Sequence, residues 1–317
     1  MKKILLLAIG AALASTMAIH TNANGASKAV AVIWEGKAEM ANRVAMGFLA
    51  KVRTLVPDLE VKQYRQLESL QAAEQVFREC EIKMDGIVFL RSSGAQFLAT
   101  ADPKVPCFFG GCNNPVELGV VKNLNAPEGK VTGVTYWIPY QKRFEIIMSL
   151  FPNTKSVGLL VEKGHPAGLI EAQGTKEQCK RVGIAYNEAE ASDLSSLLDG
   201  VRKLAGRVDL ILIPANRLIS DNVVNMLPIL NAAKTPTFSF ADAPVKSGAV
   251  AGVAADDVKL GELLAESVVD VLIKRKPISQ VPVKMDQDPR ISVNESMMKR
   301  LDLKFPEQIL KKAEIVR

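Results

Sequence analysis

The stretch AVAVIW (Ala29–Trp34) is an unbroken apolar run, and it opens the segment that decides the fold. Behind it, apolar residues recur every three or four positions from Met40 to Leu55, as on one face of an amphipathic helix. Leu59–Tyr64 then alternates as a strand does, Leu67–Phe77 has helical spacing, and GIVFL (Gly86–Leu90) is a second apolar run. The order is β-α-β-α-β. Strands that are apolar on both faces are typical of a parallel sheet covered by helices on each side.

The same alternation completes a first Rossmann-like unit and then starts again. The remaining elements of the first unit are predicted as helices at Ala95–Ala101 and Pro115–Asn123 and strands at Val105–Phe109 and Val131–Trp137. After a helix at Gln141–Leu150, the second series has strands at Ser156–Val161, Gly183–Asn187, Val208–Ile213, Thr237–Phe240 and Ala249–Ala254. Its helices are predicted at Gly168–Arg181, Ser192–Leu204 and Ser220–Ala233. The sequence therefore predicts an α/β chain with two parallel sheets.

The length and the tail of the chain fit two such units better than three. A chain of 317 residues is long enough for two cores. After Ala254 there remain a helix at Lys259–Lys274, strands at Val281–Met285 and Ile291–Asn294, and a terminal helical stretch. These are too few strands for a third domain, so the tail is expected to cross back between the two lobes.

The first residues have the pattern of a secretory signal peptide. Lys2 and Lys3 precede the apolar run Ile4–Ala14, which is much shorter than the roughly 20 residues that span a bilayer. We expect residues 1–23 to be removed by cleavage after Ala23. No cysteine precedes Cys80, so no lipid anchor is predicted. These features favour a periplasmic location.

Composition and charge limit the classes of partner. The chain is 48% hydrophobic and 23% charged, which is typical of a globular protein rather than of a disordered chain or a membrane bundle. Subtracting Lys2 and Lys3 from the formal net charge of +6 leaves +4. The remaining basic residues are scattered along the chain, so nucleic acid is not a predicted partner.

Of the four cysteines, only Cys107 and Cys112, which flank the end of a predicted strand, are close enough in sequence to pair readily. Export permits a disulfide, but cysteines along buried strands are commonly free. Free thiols are therefore favoured, and a Cys107–Cys112 pair stays open.

Ligands of open parallel sheets bind beyond the carboxyl ends of the strands. The side chains predicted to lie there are Trp34, Glu35, Ser92, Ser93, Asn113, Asn114, Tyr136, Trp137, His165, Asn216 and Asp242. Ser92 and Ser93 begin a predicted helix, where hydroxyl and free N–H groups suit a carboxylate, although a serine there can simply cap its helix.

The other candidates divide into acids, aromatic residues and capping residues. Asp242 is the first candidate partner for a ligand ammonium group and Glu35 the second. Trp34, Tyr136 and Trp137 suit an aromatic wall, with Trp34 favoured, although packing in the core or the hinge is the simpler role. Asn113 or Asn114 before Pro115, His165 before Pro166 and Asp242 before Pro244 all fit helix capping as well.

No catalytic or cofactor motif is present in the sequence. Only His165 remains once residues 1–23 are removed, so no two-histidine metal site is predicted. Neither a phosphate-binding loop ending in Gly-Lys-Ser/Thr nor a G-x-G-x-x-G turn occurs. We therefore predict no cofactor and no enzyme activity. A serine-dependent hydrolase using Ser92 or Ser93 with His165 is the weakest alternative.

Several short stretches in fixed order resemble the tryptophan/tyrosine-type family of ABC-transporter substrate-binding proteins. The strongest are GKVTGVT (Gly129–Thr135) and LFPNTKSVG (Leu150–Gly158). Others are Val105-Pro106 with Phe108, Asn114–Val116, Val208-Asp209 with Pro214, VKSGA (Val245–Ala249), Leu260-Gly261, and Ile291–Asn294 through Leu303 to Pro306. The chain departs from the family at Asn114, where aspartate is usual, and at Asp256-Asp257, where tyrosines are usual.

The resemblance implies a type I periplasmic-binding-protein fold with a three-strand hinge near Trp137, Ala255 and Asp286. The lobes would comprise residues 27–136 with 257–286 and residues 137–256 with 287–317. The implied function is capture of a small molecule, an amino acid or aromatic compound, for an ABC permease in the inner membrane, by a monomer. Sensing for a membrane histidine kinase is the alternative.

Overall fold

The computed structural model describes residues 28–164, 166–215 and 217–317. The predicted signal peptide (residues 1–23) lies outside the described residues. Within them, the strands form two open sheets, of six and seven strands. The prediction of an α/β chain with two parallel-dominated sheets is confirmed.

The first sheet has the strand order β11-β5-β4-β3-β1-β2, and every neighbouring pair is parallel. Its strands are β1 (Ala29–Glu35), β2 (Glu60–Leu67), β3 (Gly86–Leu90), β4 (Cys107–Cys112), β5 (Val131–Thr135) and β11 (Lys284–Met285). The helices in this part of the chain are α1 (Glu39–Leu55), α2 (Leu70–Lys83), α3 (Arg91–Thr100) and α10 (Asp257–Leu272). We call this sheet with its four helices the first lobe.

The second sheet has the order β13-β12-β10-β9-β8-β6-β7, and it is parallel except where β12 pairs antiparallel with β10. Its strands are β6 (Ser156–Glu162), β7 (Ala185–Ala191), β8 (Leu210–Ile213), β9 (Thr237–Ser239), β10 (Ala251–Ala254), β12 (Arg290–Asn294) and β13 (Glu314–Val316). Its helices are α4 (Tyr140–Leu150), α5 (Pro166–Val182), α6 (Leu194–Leu204), α7 (Arg217–Ser220), α8 (Val223–Ala232), α9 (Asp242–Lys246), α11 (Glu295–Arg300) and α12 (Glu307–Leu310). We call this the second lobe. The lobe boundaries inferred from the sequence stay a prediction.

Each sheet is buried on both faces, as the continuous apolar strands predict. On the first sheet, Val30, Val32 and Trp34 pack toward α1 and α10, and the alternate residues Ala31 and Ile33 pack toward α2 and α3. This alternation follows from the period of two along a strand. The side chains that follow β1 are therefore directed by the register of a buried strand.

The predicted helix Pro115–Asn123 is wrong, because this segment is a run of turns. The side chain of Asn114 accepts a hydrogen bond from the Val116 N–H at 3.1 Å, and a single helical turn follows in which the Leu118 N–H reaches the Asn114 carbonyl at 3.0 Å. Gly119 then adopts φ +75°, a left-handed conformation that ends the turn. Two smaller differences are that α3 begins at Arg91 rather than Ala95, and that Ser220–Ala233 is divided between α7 and α8.

All four cysteines are buried free thiols, including Cys107 and Cys112 on β4. Burial raises the pKa of each thiol, to about 11 for Cys179. The thiolate is the reactive form, so we expect negligible labelling of the native protein by a thiol reagent at pH 8. Four thiols should react once guanidinium unfolds the protein. Titration of only two thiols in the unfolded, unreduced protein would instead reveal a Cys107–Cys112 disulfide.

Candidate ligand-binding cleft

In the described residues, three segments of the chain cross from one lobe to the other, and the carboxyl ends of the strands of both sheets lie at these crossings. The first crossing leaves the carboxyl end of β5 at Thr135, and the second leaves the carboxyl end of β10 at Ala254. The third is short, from Met285 of β11 to Arg290 of β12, which pairs with Ala254. Because the three crossings begin at the carboxyl ends of β5, β10 and β11, the loops at these ends lie toward one shared cleft.

Two of the crossings are held together by the buried carboxylate of Asp286. It accepts hydrogen bonds from Lys259 Nζ at 2.5 Å and from the Asp256 and Asp288 N–H groups at 3.0 Å each. Asp256 in turn caps α10 through the N–H groups of Val258 and Lys259. The second and third crossings therefore share one polar anchor.

Glu35 organises the first-lobe side of the cleft. Its Oε1 atom accepts hydrogen bonds from Arg91 Nη1 at 2.6 Å and from Ser93 Oγ at 2.5 Å, and its backbone carbonyl also accepts from Arg91. Arg91 takes φ +74°, which is rare for a residue with a side chain and marks local strain. Ser93, one of the two serines predicted to bind an anion, thus donates to a carboxylate of the protein itself.

One oxygen of Glu35 remains available. Its Oε2 atom is enclosed and has no hydrogen-bond partner among the described residues. A buried carboxylate oxygen without a donor is costly unless a ligand or water supplies one. Within the described part of the chain, this atom therefore lacks a donor that an ammonium or N–H group could supply once the surrounding side chains move to admit it.

Aromatic rings and one buried arginine form the second-lobe side next to the first crossing. Arg143 of α4 lies over the rings of Phe240 and Tyr140, with its guanidinium carbon 4.3 Å and 5.1 Å from their centroids. Trp137 packs edge-on against Tyr140, at 6.1 Å between centroids. This wall combines apolar surface with a positive charge.

Comparison with known proteins identifies the family to which the chain belongs. Residues 57–317 match the family model described as ABC transporter substrate binding protein. The chain belongs to this family. A curated relative, the tyrosine-binding protein of Clostridioides difficile strain R20291, is 27% identical over 221 residues. That match covers 70% of this chain and 64% of the relative's length.

Solved structures share the two-lobed type I fold of these substrate-binding proteins. A ligand-free, open substrate-binding protein with adhesive properties from Clostridium difficile matches with a TM-score of 0.83 and 20% identity, over 92% of this chain and 99% of its own. An ABC domain from Streptococcus pneumonia in complex with L-Trp matches with a TM-score of 0.72 and 21% identity, over 92% and 100%. The predicted family and fold are therefore confirmed.

In this substrate-binding protein, Trp34 does not provide the expected aromatic wall. Its ring is fully buried in the first-lobe core, because residue 34 of β1 faces α1 and α10. Tyr136 is half-buried, burial raises the pKa of its hydroxyl, and its interaction with Ser92 opposes that rise. The aromatic surface comes instead from Trp137, Tyr140 and Phe240.

The remaining predicted residues have local roles or lie outside the description. Ser92 Oγ accepts from the Asn113 N–H at 3.1 Å, and Asn113 and Asn114 shape the turn after β4. Asp242 is paired with Arg290 and also accepts from Ser292 Oγ at 3.2 Å, which leaves Glu35 the better partner for an ammonium group. His165 and Asn216 lie outside the described residues.

The strand-end rule did not select two groups of charged residues that interact with each other. Arg43 pairs with Asp257 at 2.8 Å, and burial raises the pKa of that carboxyl group. Glu117 has a raised pKa because of its burial and the nearby Glu171. These residues lie on helices and turns rather than directly after strands, so the strand-end rule could not select them.

The described residues contain neither a metal-binding cluster nor a membrane-spanning helix. Among them, no group of three or more His, Cys, Asp or Glu side chains could hold a metal ion. No helix in the described ranges is long and apolar enough to cross a membrane.

Proposed function

We propose that this substrate-binding protein captures an amino acid with an aromatic side chain between its two lobes and presents it to an ABC permease. The observation that carries the proposal is the family match over residues 57–317 in a chain whose two sheets direct their strand ends at one cleft. The names of two relatives, which bind tyrosine and L-Trp, support the ligand class. Residues 1–23 support delivery to the periplasm.

The cleft supports this ligand chemistry without a chemical step. Among the described residues, Glu35 Oε2 lacks a donor that an ammonium group could supply, and the rings of Trp137 and Tyr140 offer apolar surface in the region of the first crossing. A ligand that contacts both lobes stabilises the closed form over the open form by its preferential affinity for the closed state. A permease would then recognise the closed form.

The proposal is tested by measuring the Tm of the protein in the presence of amino acids, purines and small aromatic acids. The protein is first unfolded and refolded to remove any copurified ligand. A ligand that binds only the folded state at 100 times its Kd should stabilise it by about 2.7 kcal/mol. We expect L-tyrosine or L-tryptophan to raise the Tm, and the D-enantiomer, as the matched control, to do so much less. No shift with either aromatic amino acid would refute the proposed ligand class.

A further inference from the structure

Arg143 is held on the second-lobe side of the cleft by hydrogen bonds and by aromatic rings. Its side chain is 7% exposed, its Nε donates to the Ile138 carbonyl at 2.7 Å, and its Nη1 donates to Glu171 Oε1 at 2.8 Å. The rings of Tyr140 and Phe240 pack against the guanidinium plane. A guanidinium that packs against two rings and is hydrogen-bonded at two nitrogens loses little further freedom when it binds a ligand.

One amino group of this guanidinium has no protein partner. Among the described residues, Nη2 of Arg143 donates to no acceptor, whereas Nε and Nη1 are both used. Nη2 is also not among the enclosed polar atoms that lack a partner, so it retains contact with solvent. An incoming acceptor can therefore reach it.

The surroundings of Arg143 place it where the lobes meet. Ile138, which accepts its Nε–H, belongs to the first crossing, and Phe240 directly follows the carboxyl end of β9. Tyr140 lines a pocket of about 510 Å³ together with Glu117 of the first lobe and residues of α5. Arg143 also affects the pKa of Glu117, which lies between β4 and β5, and of Tyr136 in the first crossing.

We propose that Arg143 is the second-lobe anchor for the carboxylate of the captured ligand. The inference rests on the proposed function. It gives Arg143 the role of binding the ligand carboxylate, which the sequence analysis had given to Ser92 and Ser93. Ser93 is already bonded to Glu35, and Ser92 to the Asn113 N–H. The Nη2 atom of Arg143 instead offers a charge-assisted hydrogen bond to a carboxylate.

This assignment makes the protein selective for acids over the corresponding amides. A neutral carboxamide keeps the ammonium group and the side chain but loses the ionic hydrogen bond. Hydrogen bonds to charged groups are worth enough to change an affinity by about 10- to 100-fold. The carboxylate of the ligand should therefore determine whether the second lobe binds the ligand.

The test is calorimetric titration of the full chain with L-tyrosine, L-tyrosinamide, L-tryptophan and L-tryptophanamide. The wild type should bind the better acid about 10- to 100-fold more tightly than its amide. Arg143→Gln should weaken binding of the acid by a similar factor and change binding of the amide less than about threefold. Equal binding of acid and amide by the wild type would overturn the inference.

Glu171→Gln is the matched control, because it breaks the same ion pair and leaves Arg143 in place. If Arg143 binds the ligand, this variant should bind the acid at least as tightly as the wild type, since a competing anion is gone. If Arg143 is only structural, Glu171→Gln should weaken binding of acid and amide alike, as Arg143→Gln would.

If Arg143→Gln does not fold, the double variant Arg143→Gln/Glu171→Gln is used in its place, because it buries no unpaired charge. We expect it to show the same loss of selectivity for the acid over the amide. Equal weakening of acid and amide in that variant would overturn the inference. Failure of the wild type to bind either aromatic acid would refute the proposed function itself.

Discussion

Gly261→Ala is expected to lower the free energy of unfolding by about 3 kcal/mol or more, because it forces apart two helices whose backbones touch. A Cβ at residue 261 of α10 would lie 2.1 Å from the Val44 carbonyl oxygen and 2.6 Å from the Phe48 nitrogen of α1. These are backbone atoms, so no side chain can rotate away. The helices must separate along the contact that covers one face of the first sheet.

The effect opposes the usual trend, since alanine is favoured over glycine in an open helix by about 1 kcal/mol. Glu262→Ala leaves an alanine methyl group at the next position of α10, where the native side chain is half-buried, and should change stability by no more than about 0.5 kcal/mol. Urea unfolding followed by circular dichroism measures both variants. A Gly261→Ala protein as stable as the wild type would show that the two helices are not in backbone contact.

Asp286→Asn is expected to lower the free energy of unfolding by about 2 kcal/mol, since it removes a buried charge that three donors share. The amide keeps one oxygen, so at least one of Lys259 Nζ, the Asp256 N–H and the Asp288 N–H loses its acceptor. Lys259 is partly exposed and regains water, which keeps the cost below that of a fully buried pair. Hydrogen exchange at the Asp256 and Asp288 amides should quicken as well.

Asp288→Asn is the control for this change, because it removes the same charge from the same crossing at an exposed position. It should alter stability by no more than about 0.5 kcal/mol. If both variants lower the free energy of unfolding by the same amount, the effect comes from the loss of one negative charge in this crossing. Asp286 then has no special role in joining the crossings.

Most of the fold was predictable because the strands are recognisable in the sequence as continuous apolar runs. Gly86–Leu90 was predicted with its observed bounds, and the neighbouring runs agree within a few residues, since a strand buried on both faces must be apolar throughout. The failures came where local chemistry competes with the pattern. Pro115–Asn123 looks helical by spacing, but the Asn114 side chain and Gly119 close a turn.

The site was predictable only in outline. The strand-end rule found Glu35, Ser92 and Ser93, but it could not tell that Ser93 donates to Glu35 while Ser92 accepts from the Asn113 N–H. It favoured Trp34, whose face of β1 is set by the packing of α1 and α10. Arg143 gave no signal, because an arginine in the first turn of an amphipathic helix normally faces solvent.

The sequence by itself therefore determined the class of the protein: the alternation of buried strands and helices, the order of its two series and the family. These properties depend on periodicity and on short ordered motifs, which are local. Only the tertiary structure decided which polar atoms are already paired and which remain open, as Glu35 Oε2 and Arg143 Nη2 do. Pairing depends on distances between segments far apart in the chain, and no local pattern encodes those distances.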